Sequence, residues 1–233
     1  MSGEAVLVTG GTGALGAAVV RGVVQAGYGA GVPYIVSSEW ERLETELGDS
    51  SGSVVGVEAD VLDAAALDGV LERIERDLGS LRALVHLVGG YAYGSLDATE
   101  PDTWRRMLSL NLDSAYVAAR AALPRLRASR GSMVFVGAQG ALSASPNQVA
   151  YNVAKAGVVT LARTLAAELR ADGVRVNAVV PDVIDTPANR RSMPKSNFGT
   201  WLEPRQIADA IVFLVSDAGS GVTGAVLPLQ RAS

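Results

Sequence analysis

Short apolar runs alternate along this chain with longer segments whose apolar residues recur at helical spacing. The first run, Ala5 to Thr9, is almost continuously apolar, which is typical of a strand buried on both faces of a sheet. Strands are predicted at residues 5–9, 32–36, 53–57, 84–88, 133–136, 174–180 and 225–229. Helices are predicted up to residue 25, at 39–47, 62–78 and 101–127, around 151 up to 170, and at 204–216. This alternation predicts one doubly wound α/β domain, a Rossmann fold of about seven parallel strands with right-handed crossovers and helices on both faces.

Composition narrows the class of protein. The 233 residues, 48% of them hydrophobic, suit a single globular domain spanning 1–233. A net charge of −4 argues against a nucleic-acid-binding protein, because such proteins carry a basic stripe. With no cysteine and one histidine, the chain has no disulfide and we expect no metal site of the usual zinc kind. No basic leader precedes the first apolar run, and no apolar segment reaches the roughly 20 residues of a membrane span, so we expect a cytoplasmic protein without a membrane partner.

A glycine-rich turn follows the first predicted strand. Gly10, Gly13 and Gly16 stand between that strand and the first predicted helix. Glycine lets the backbone turn tightly and approach a pyrophosphate, whose charge is stabilised at the helix N-terminus. Glycine repeats also occur in ordinary turns, but the strand before this one and the helix after it favour a dinucleotide-binding site.

The end of the second predicted strand bears on the choice between NAD and NADP. An acidic residue there binds the ribose 2′-hydroxyl of NAD, whereas a basic residue accommodates the 2′-phosphate of NADP. Residues 34–38 are Tyr, Ile, Val, Ser and Ser, and Glu39 and Arg42 come slightly later. Because nothing at the expected position repels a phosphate, the sequence favours NADP.

Three residues near the later strands each have two interpretations. Asp60 is either the N-cap of the following helix or a contact to adenine. Asn111 is either a packing residue or a functional one, since asparagine competes for backbone hydrogen bonds inside a helix. His86 lies inside an apolar run and is interpreted as a core residue rather than a catalyst. Gly89 and Gly90 end the same strand and leave room for a cofactor above it.

Tyr151 and Lys155 carry the candidate chemistry. Four positions apart on a predicted helix, they share one face about a turn apart. An ammonium beside a phenol lowers the phenol pKa from about 10, so Tyr151 is predicted to exchange a proton with an alkoxide near neutral pH. A surface pair on an amphipathic helix is the alternative for this pattern alone, and the other motifs of the chain favour catalysis.

Together these motifs resemble the short-chain dehydrogenase/reductase family along essentially the whole chain. The matching segments are, in order, 9–16, 60–61, 88–89, 111–112, Tyr151 with Lys155, and 181–186. The resemblance implies that Tyr151 protonates the substrate as hydride arrives, that Lys155 lowers the pKa of Tyr151 and binds the nicotinamide ribose, and that Asn111 supports a water linked to Lys155. It also implies a cofactor site formed by Gly10, Thr12, Gly13, Ala14, Leu15, Gly16, Asp60, Val61, Val88, Gly89, Tyr151, Lys155, Pro181, Val183 and Thr186.

Three departures from the family pattern stand out. Ala14 replaces the second glycine of the turn, which is a known variant. His86 and Leu87 replace the usual pair of asparagines, which is expected to remove a structural hydrogen-bonding group. Ala138, thirteen residues before Tyr151, stands where the family carries a catalytic serine that donates to the substrate oxygen. Loss of one such preorganised donor costs about 10²–10³ in rate in other enzymes.

One branch of the family lacks that serine. Ala138, the Gly89-Gly90-Tyr91 sequence and the segment 185–201 are similar to the dihydropteridine reductase-like branch. That resemblance implies a quinonoid pterin substrate, whose conjugated rings spread the arriving charge over several atoms. The branch normally prefers NADH and has an acidic residue at about the position of Tyr34. Because this chain lacks that acid, its cofactor preference and its substrate can differ from those of the branch.

A long stretch without predicted secondary structure runs from 181 to 201. Residues 187–201 mix arginines with large apolar residues and are a candidate lid over the substrate. We expect substrate contacts from Met193 or Trp201 in this segment. Ala138 and Gln139, in the loop after the fifth strand, are further candidate substrate contacts.

The sequence therefore predicts an NAD(P)H-dependent reductase of a small-molecule carbonyl or conjugated acceptor. The alternative is a nucleotide-binding sensor or interaction protein of the same fold, for which Ala138 is the best support. The resemblance also implies a homodimer or homotetramer, formed through the alanine-rich helices near 103–127 and 147–170.

Overall fold

The computed structural model describes residues 3–231. Its strands are β1 (Glu4–Thr9), β2 (Gly29–Tyr34), β3 (Val54–Glu58), β4 (Ser80–His86), β5 (Ser132–Val136), β6 (Arg175–Pro181) and β7 (Val226–Leu229). Its α-helices are α1 (Ala14–Gln25), α2 (Ser37–Leu47), α3 (Ala64–Leu78), α4 (Pro101–Leu108), α5 (Ser114–Ser129), α6 (Val149–Glu168), α7 (Pro187–Ser192) and α8 (Pro204–Val215). The strands form one parallel sheet in the order β3-β2-β1-β4-β5-β6-β7, which confirms the predicted fold class.

Alternate residues of the strands enter two different apolar cores. In β1, Ala5 and Leu7 pack on the side of α3, α5 and α6, whereas Val6 and Val8 pack on the side of α1, α2 and α8. Successive side chains of a strand point to opposite faces, so a sheet covered on both sides needs apolar residues at every position. The continuous apolar runs in the sequence have this cause.

The order of the strands fixes where a ligand site forms. The chain runs outward from β1 to β3 and then returns to place β4 on the other side of β1. In open α/β sheets the crevice lies at the carboxyl ends of the strands, at the point where the order reverses. The turns after β1 and β4 meet at that point, and the loops after β5 and β6 lie at the same edge.

Several predicted strand and helix boundaries were wrong, including those of the fourth strand, which was predicted at 84–88 and is found at Ser80–His86. The second strand ends at Tyr34, and Ile35 and Val36 are 72% and 43% exposed, since they have already left the sheet. The predicted helix at 101–127 is interrupted by a π-helical turn at Ser109–Asp113, which separates α4 from α5. Asn111 lies in this turn and donates a side-chain hydrogen bond to the carbonyl of Met107, the backbone competition expected of an asparagine inside a helix.

The segment predicted to be irregular from 181 to 201 contains regular structure. The Thr186 hydroxyl accepts a hydrogen bond from the Asn189 backbone and caps α7, and Pro187 occupies the first turn of that helix. A further 3-10 turn spans Phe198–Thr200. Threonine followed by proline is a signal for the start of a helix, so α7 could have been predicted from the sequence.

Candidate active site

The glycine turn after β1 folds tightly on itself. A Cβ on Gly16 would lie 2.1 Å from the Gly10 carbonyl oxygen, and a Cβ on Gly10 would lie 3.0 Å from the Val88 nitrogen, in the turn after β4. Gly13 precedes α1, and no side chain caps this helix N-terminus. Backbone N–H groups of the first turn are therefore available to an anion, and the residues present fit the pyrophosphate of a dinucleotide.

An acid and a base both reach this turn. The Thr12 hydroxyl donates to the Glu39 carboxylate at 3.0 Å, and the Arg42 guanidinium donates to the Thr12 carbonyl oxygen at 2.7 Å. Tyr34, at the end of β2, stacks on Trp40 with ring centroids 5.5 Å apart. Sequence reasoning noted Glu39 and Arg42 only as lying slightly beyond the expected position. Their spacing of three residues, which puts both side chains on one face of α2, is the signal that identifies them.

Asp60 is not the helix cap that one interpretation predicted. Its carboxylate accepts a hydrogen bond from the Leu62 backbone, whereas Asp63 caps α3 by accepting from Ala65 and Ala66. A short turn therefore separates β3 from the helix start. The predicted adenine contacts at Asp60 and at Val61, which is buried, remain predictions.

Asn111 braces the turn after β4. Its fully buried side chain accepts from the Gly90 N–H at 3.2 Å and donates to the Gly90 carbonyl at 3.1 Å. A Cβ on Gly89 would lie 2.6 Å from the Asn111 Oδ1 and 3.1 Å from the Lys155 Nζ, so this turn passes between the two side chains. Asn111 is thus more than a packing residue. Its predicted support of a water remains a prediction.

Tyr151 and Lys155 both face the turn after β4 from α6, as their spacing predicted. The buried Lys155 Nζ donates to the Val136 carbonyl at 2.9 Å, and burial lowers the pKa of this ammonium to about 8. Burial raises the pKa of the Tyr151 phenol to about 12, with a smaller upward contribution from the phenol of Tyr91. The predicted lowering of the Tyr151 pKa is therefore wrong for the protein chain alone, because burial disfavours the charged phenolate.

Tyr91 is a residue of the site that sequence reasoning missed. Its ring meets that of Tyr151 edge to face, with centroids 5.0 Å apart and an interplanar angle of 73°. The available signal was its place in the chain, immediately after the two glycines of the turn that follows β4.

The loop after β5 contains no hydroxyl at the position of the family's serine. Ala138 is buried, and Gln139 begins a 3-10 turn directly after it. Gln139 Oε1 and Asn152 Oδ1 are buried without a hydrogen-bond partner among residues 3–231. Two acceptor oxygens are thus left unsatisfied beside the first turn of α6.

His86 is a core residue, as predicted, and it is fully hydrogen-bonded. Its Nδ1 lies 2.8 Å from the Thr9 hydroxyl and its Nε2 lies 3.1 Å from the Ser114 hydroxyl. Because the Ser114 hydroxyl donates to the Leu110 carbonyl, it accepts from His86 Nε2–H, and the Thr9 hydroxyl donates to Nδ1. The predicted loss of a structural hydrogen-bonding group at this position is therefore wrong. Burial lowers the pKa of His86 to about 3.

A series of side-chain contacts holds the candidate lid in place. Arg190 donates to both Asp185 oxygens, at 2.6 and 2.7 Å, and its guanidinium lies 4.7 Å from the centroid of the Phe198 ring. Phe198 in turn packs on Trp201, which is 5% exposed. Substrate contact at Trp201 would require this segment to open, whereas Met193 is only half-buried. Contact of the substrate with either residue remains a prediction.

The predicted nicotinamide-side residues follow β6. Pro181 is buried at the end of that strand, and the Val183 carbonyl accepts a hydrogen bond from the Leu202 N–H across the base of the lid. Thr186 caps α7 with its hydroxyl.

In residues 3–231, no helix is long and apolar enough to cross a bilayer, and no three acidic or histidine side chains are grouped to hold a metal ion.

Known proteins resemble this chain in sequence. A family model described as enoyl-(acyl carrier protein) reductase matches residues 11–230. Galactitol 2-dehydrogenase from Rhizobium johnstonii is 35% identical, over 97% of this chain and 93% of that protein. An inactive 2-(S)-hydroxypropyl-CoM dehydrogenase from Xanthobacter autotrophicus is also 35% identical, over 82% of this chain and 88% of that protein.

Solved structures share the fold over nearly the whole chain. A short-chain dehydrogenase/reductase from Burkholderia thailandensis has a TM-score of 0.88 and 33% identity, covering 98% of this chain and 91% of that one. A 3-ketoacyl-(acyl carrier protein) reductase from Brucella melitensis, solved with NADH, has a TM-score of 0.86 and 26% identity, covering 97% and 96%. With the glycine turn at the switch point and Tyr151 and Lys155 at the neighbouring turn after β4, these similarities establish that the chain belongs to the short-chain dehydrogenase/reductase family of NAD(P)-dependent oxidoreductases.

Proposed function

We propose that this chain is an NAD(P)H-dependent reductase of an uncharged carbonyl or conjugated small molecule, with Tyr151 as the proton donor. The observation that carries the proposal is a half-buried phenol that keeps its proton at neutral pH, on the same helix face as a buried lysine and beside the turn after β4. A quinonoid, pterin-like acceptor is the finer form of the proposal, since Ala138 offers no hydroxyl to an isolated ketone.

Tyr151 and Lys155 have different roles in the proposed proton transfer. The first turn of α1 would hold a dinucleotide, which supplies a hydride when bound. With an isolated carbonyl, Tyr151 gives its hydroxyl proton to an alkoxide, which is far more basic than a phenolate with a pKa of about 12. With a conjugated acceptor the arriving charge is delocalised, and the same hydroxyl donates to a less basic atom. Lys155, with a pKa of about 8, is mostly an ammonium at neutral pH and stabilises the phenolate that remains. A proton from solvent then restores the phenol.

The raised pKa of Tyr151 supports reduction as the working direction. A phenol with a pKa of about 12 is a ready acid at neutral pH, but its basic form, which oxidation of an alcohol requires, is scarce there. Gln139 is the proposed replacement for the missing serine, because it directly follows Ala138 and its side-chain NH2 group can donate a hydrogen bond.

A turnover panel tests the proposal. The protein is mixed with NADPH or NADH and quinonoid pterins, quinones and ketones, and oxidation of the dinucleotide is followed by absorbance. We expect oxidation with at least one conjugated acceptor. Tight binding of the dinucleotide without oxidation across the panel would favour the sensor, for which the 35% identical relative described as inactive is a precedent.

We also propose a preference for NADP, which Arg42 supports because its guanidinium stands at the nucleotide turn. NADPH is expected to bind more tightly than NADH in a fluorescence titration. Arg42→Ala is expected to weaken NADPH binding about five- to tenfold while changing NADH binding less than about twofold. Arg21→Ala is the matched control, because Arg21 also pairs with Glu46 and makes no bond to the turn. Equal losses for both dinucleotides in the Arg42 variant would assign Arg42 to the turn itself and not to a 2′-phosphate.

Assembly is proposed to involve α5 and α6. Each of these alanine-rich helices carries a large exposed apolar residue, Tyr116 and Val153. Such residues are suited to contact between copies of the chain in a dimer or tetramer.

A further inference from the structure

The backbone immediately before Tyr91 is held in place by hydrogen bonds. The residue before it, Gly90, has both its N–H and its carbonyl bonded to the side chain of Asn111. Asn111 is itself fully buried in the π-helical turn between α4 and α5. The position of Tyr91 is therefore set by a buried amide, although it lies at the beginning of a long loop.

The ring of Tyr91 packs on Tyr151, the proposed proton donor, but remains largely exposed. It contacts Tyr151 edge to face at 5.0 Å, yet the residue remains 54% exposed. An edge-to-face pair of this kind is stabilising beyond the area it buries. The Tyr91 ring is thus held against the ring of Tyr151 with part of its apolar surface still free.

The two loops around this ring are uncharged. Residues 86–96 and 137–150 contain no Asp, Glu, Lys or Arg. The loops are joined to each other, because the Gly94 N–H donates to the Asn147 carbonyl at 2.7 Å. A ligand that enters between them meets aromatic, aliphatic, hydroxyl and amide groups and no fixed charge.

We propose that Tyr91 is a specificity-determining residue whose free ring surface stacks on a flat, uncharged acceptor and holds its carbonyl against Tyr151. This inference rests on the proposed function and narrows its substrate class to planar conjugated ketones and quinones. Tyr91 also holds the ring of Tyr151 in place when no acceptor is bound. Its ring is what matters, and its hydroxyl is dispensable.

Binding and turnover of one flat and one compact dicarbonyl compound test this inference. Phenanthrenequinone is the flat probe and diacetyl the compact one. Dissociation constants are measured by titration in the presence of the oxidised dinucleotide, so that no hydride transfer occurs, and kcat and KM are measured separately with the reduced form. The variants are Tyr91→Phe and Tyr91→Ala, with Tyr93→Ala as control. Tyr93 lies on the same loop, is 70% exposed and makes no ring contact within residues 3–231.

We expect Tyr91→Ala to weaken phenanthrenequinone binding about tenfold or more, because that factor corresponds to the loss of about 1.4 kcal/mol of stacking. Its KM for the quinone should rise by a similar factor, whereas binding of diacetyl should change less than about twofold. Tyr91→Phe should bind the quinone like the wild type. Thermal unfolding of all variants shows whether each is folded.

Three results would overturn the inference. They are wild-type quinone binding in Tyr91→Ala, an equal loss in Tyr91→Phe and Tyr91→Ala, and an equal loss for quinone and diacetyl. Absence of quinone binding to the wild type would overturn it as well, even if another ketone is reduced. Quinone binding that depends on Tyr91 but is never followed by turnover would instead contradict the proposed function and leave the role of Tyr91 intact.

Discussion

Replacing Tyr151 by phenylalanine is expected to abolish reduction, a loss of about 10²–10⁴-fold or more in kcat. The variant keeps the ring and therefore the edge-to-face contact with Tyr91, and it removes only the hydroxyl that donates the proton. Dinucleotide affinity should change less than about threefold, since the turn after β1, and not the Tyr151 hydroxyl, would hold the pyrophosphate. Kinetics with a reducible acceptor and a fluorescence titration with NADPH measure the two quantities.

Tyr93→Phe serves as the matched control for this experiment. It makes the same chemical change on an exposed side chain of the neighbouring loop, and its kcat should equal that of the wild type. Wild-type rates in Tyr151→Phe would remove Tyr151 from the mechanism. A collapse of dinucleotide binding in the same variant would assign Tyr151 to the cofactor site and not to proton transfer.

The stability of the folded protein is expected to fall steeply below about pH 6.5 because of His86. The unfolded chain binds a proton at this histidine with a pKa near 6.5, whereas burial holds the pKa in the folded protein at about 3. Between these values the unfolded state carries the extra proton, so the free energy of unfolding decreases as pH falls, by up to about 1.4 kcal/mol per pH unit. The contribution of a neutral His86 is complete above pH 6.5, and the full difference amounts to about 4–5 kcal/mol.

Urea denaturation of the wild type and of His86→Gln between about pH 7.5 and 4.5 measures this effect. Glutamine can donate and accept in the place of the imidazole but does not titrate. Relative to that variant, the wild type should lose more than about 2 kcal/mol over this range. His86 is the only histidine of the chain, so the part of the difference that appears near pH 6 belongs to it. Parallel curves for the two proteins would show that the folded chain binds the proton as readily as the unfolded one.

Several features of the candidate site follow from local sequence. The apolar runs and the helical spacing were sufficient to predict a parallel sheet with helices on both faces, because a strand covered on both faces must be apolar at nearly every position. Gly10 and Gly16 identified the nucleotide turn, since a Cβ there would collide with neighbouring backbone. The spacing of Tyr151 and Lys155 placed both on one helix face, because four residues make about one turn.

Other features were decided only by the tertiary structure, because they depend on which segments meet. Burial, a property of the whole fold, reversed the predicted direction of the Tyr151 pKa. Asn111 and Gly90 are separated by 21 residues, and nothing local to either shows that one braces the other. Tyr91 reaches Tyr151 across 60 positions of the chain (151 − 91), through a turn whose path is fixed by that brace. The sequence alone determined which chemical groups are present and which of them share a helix or a turn. Only the packing of β4, α5 and α6 decided how deeply each is buried and which side chains touch, since burial and contact are properties of distant segments brought together.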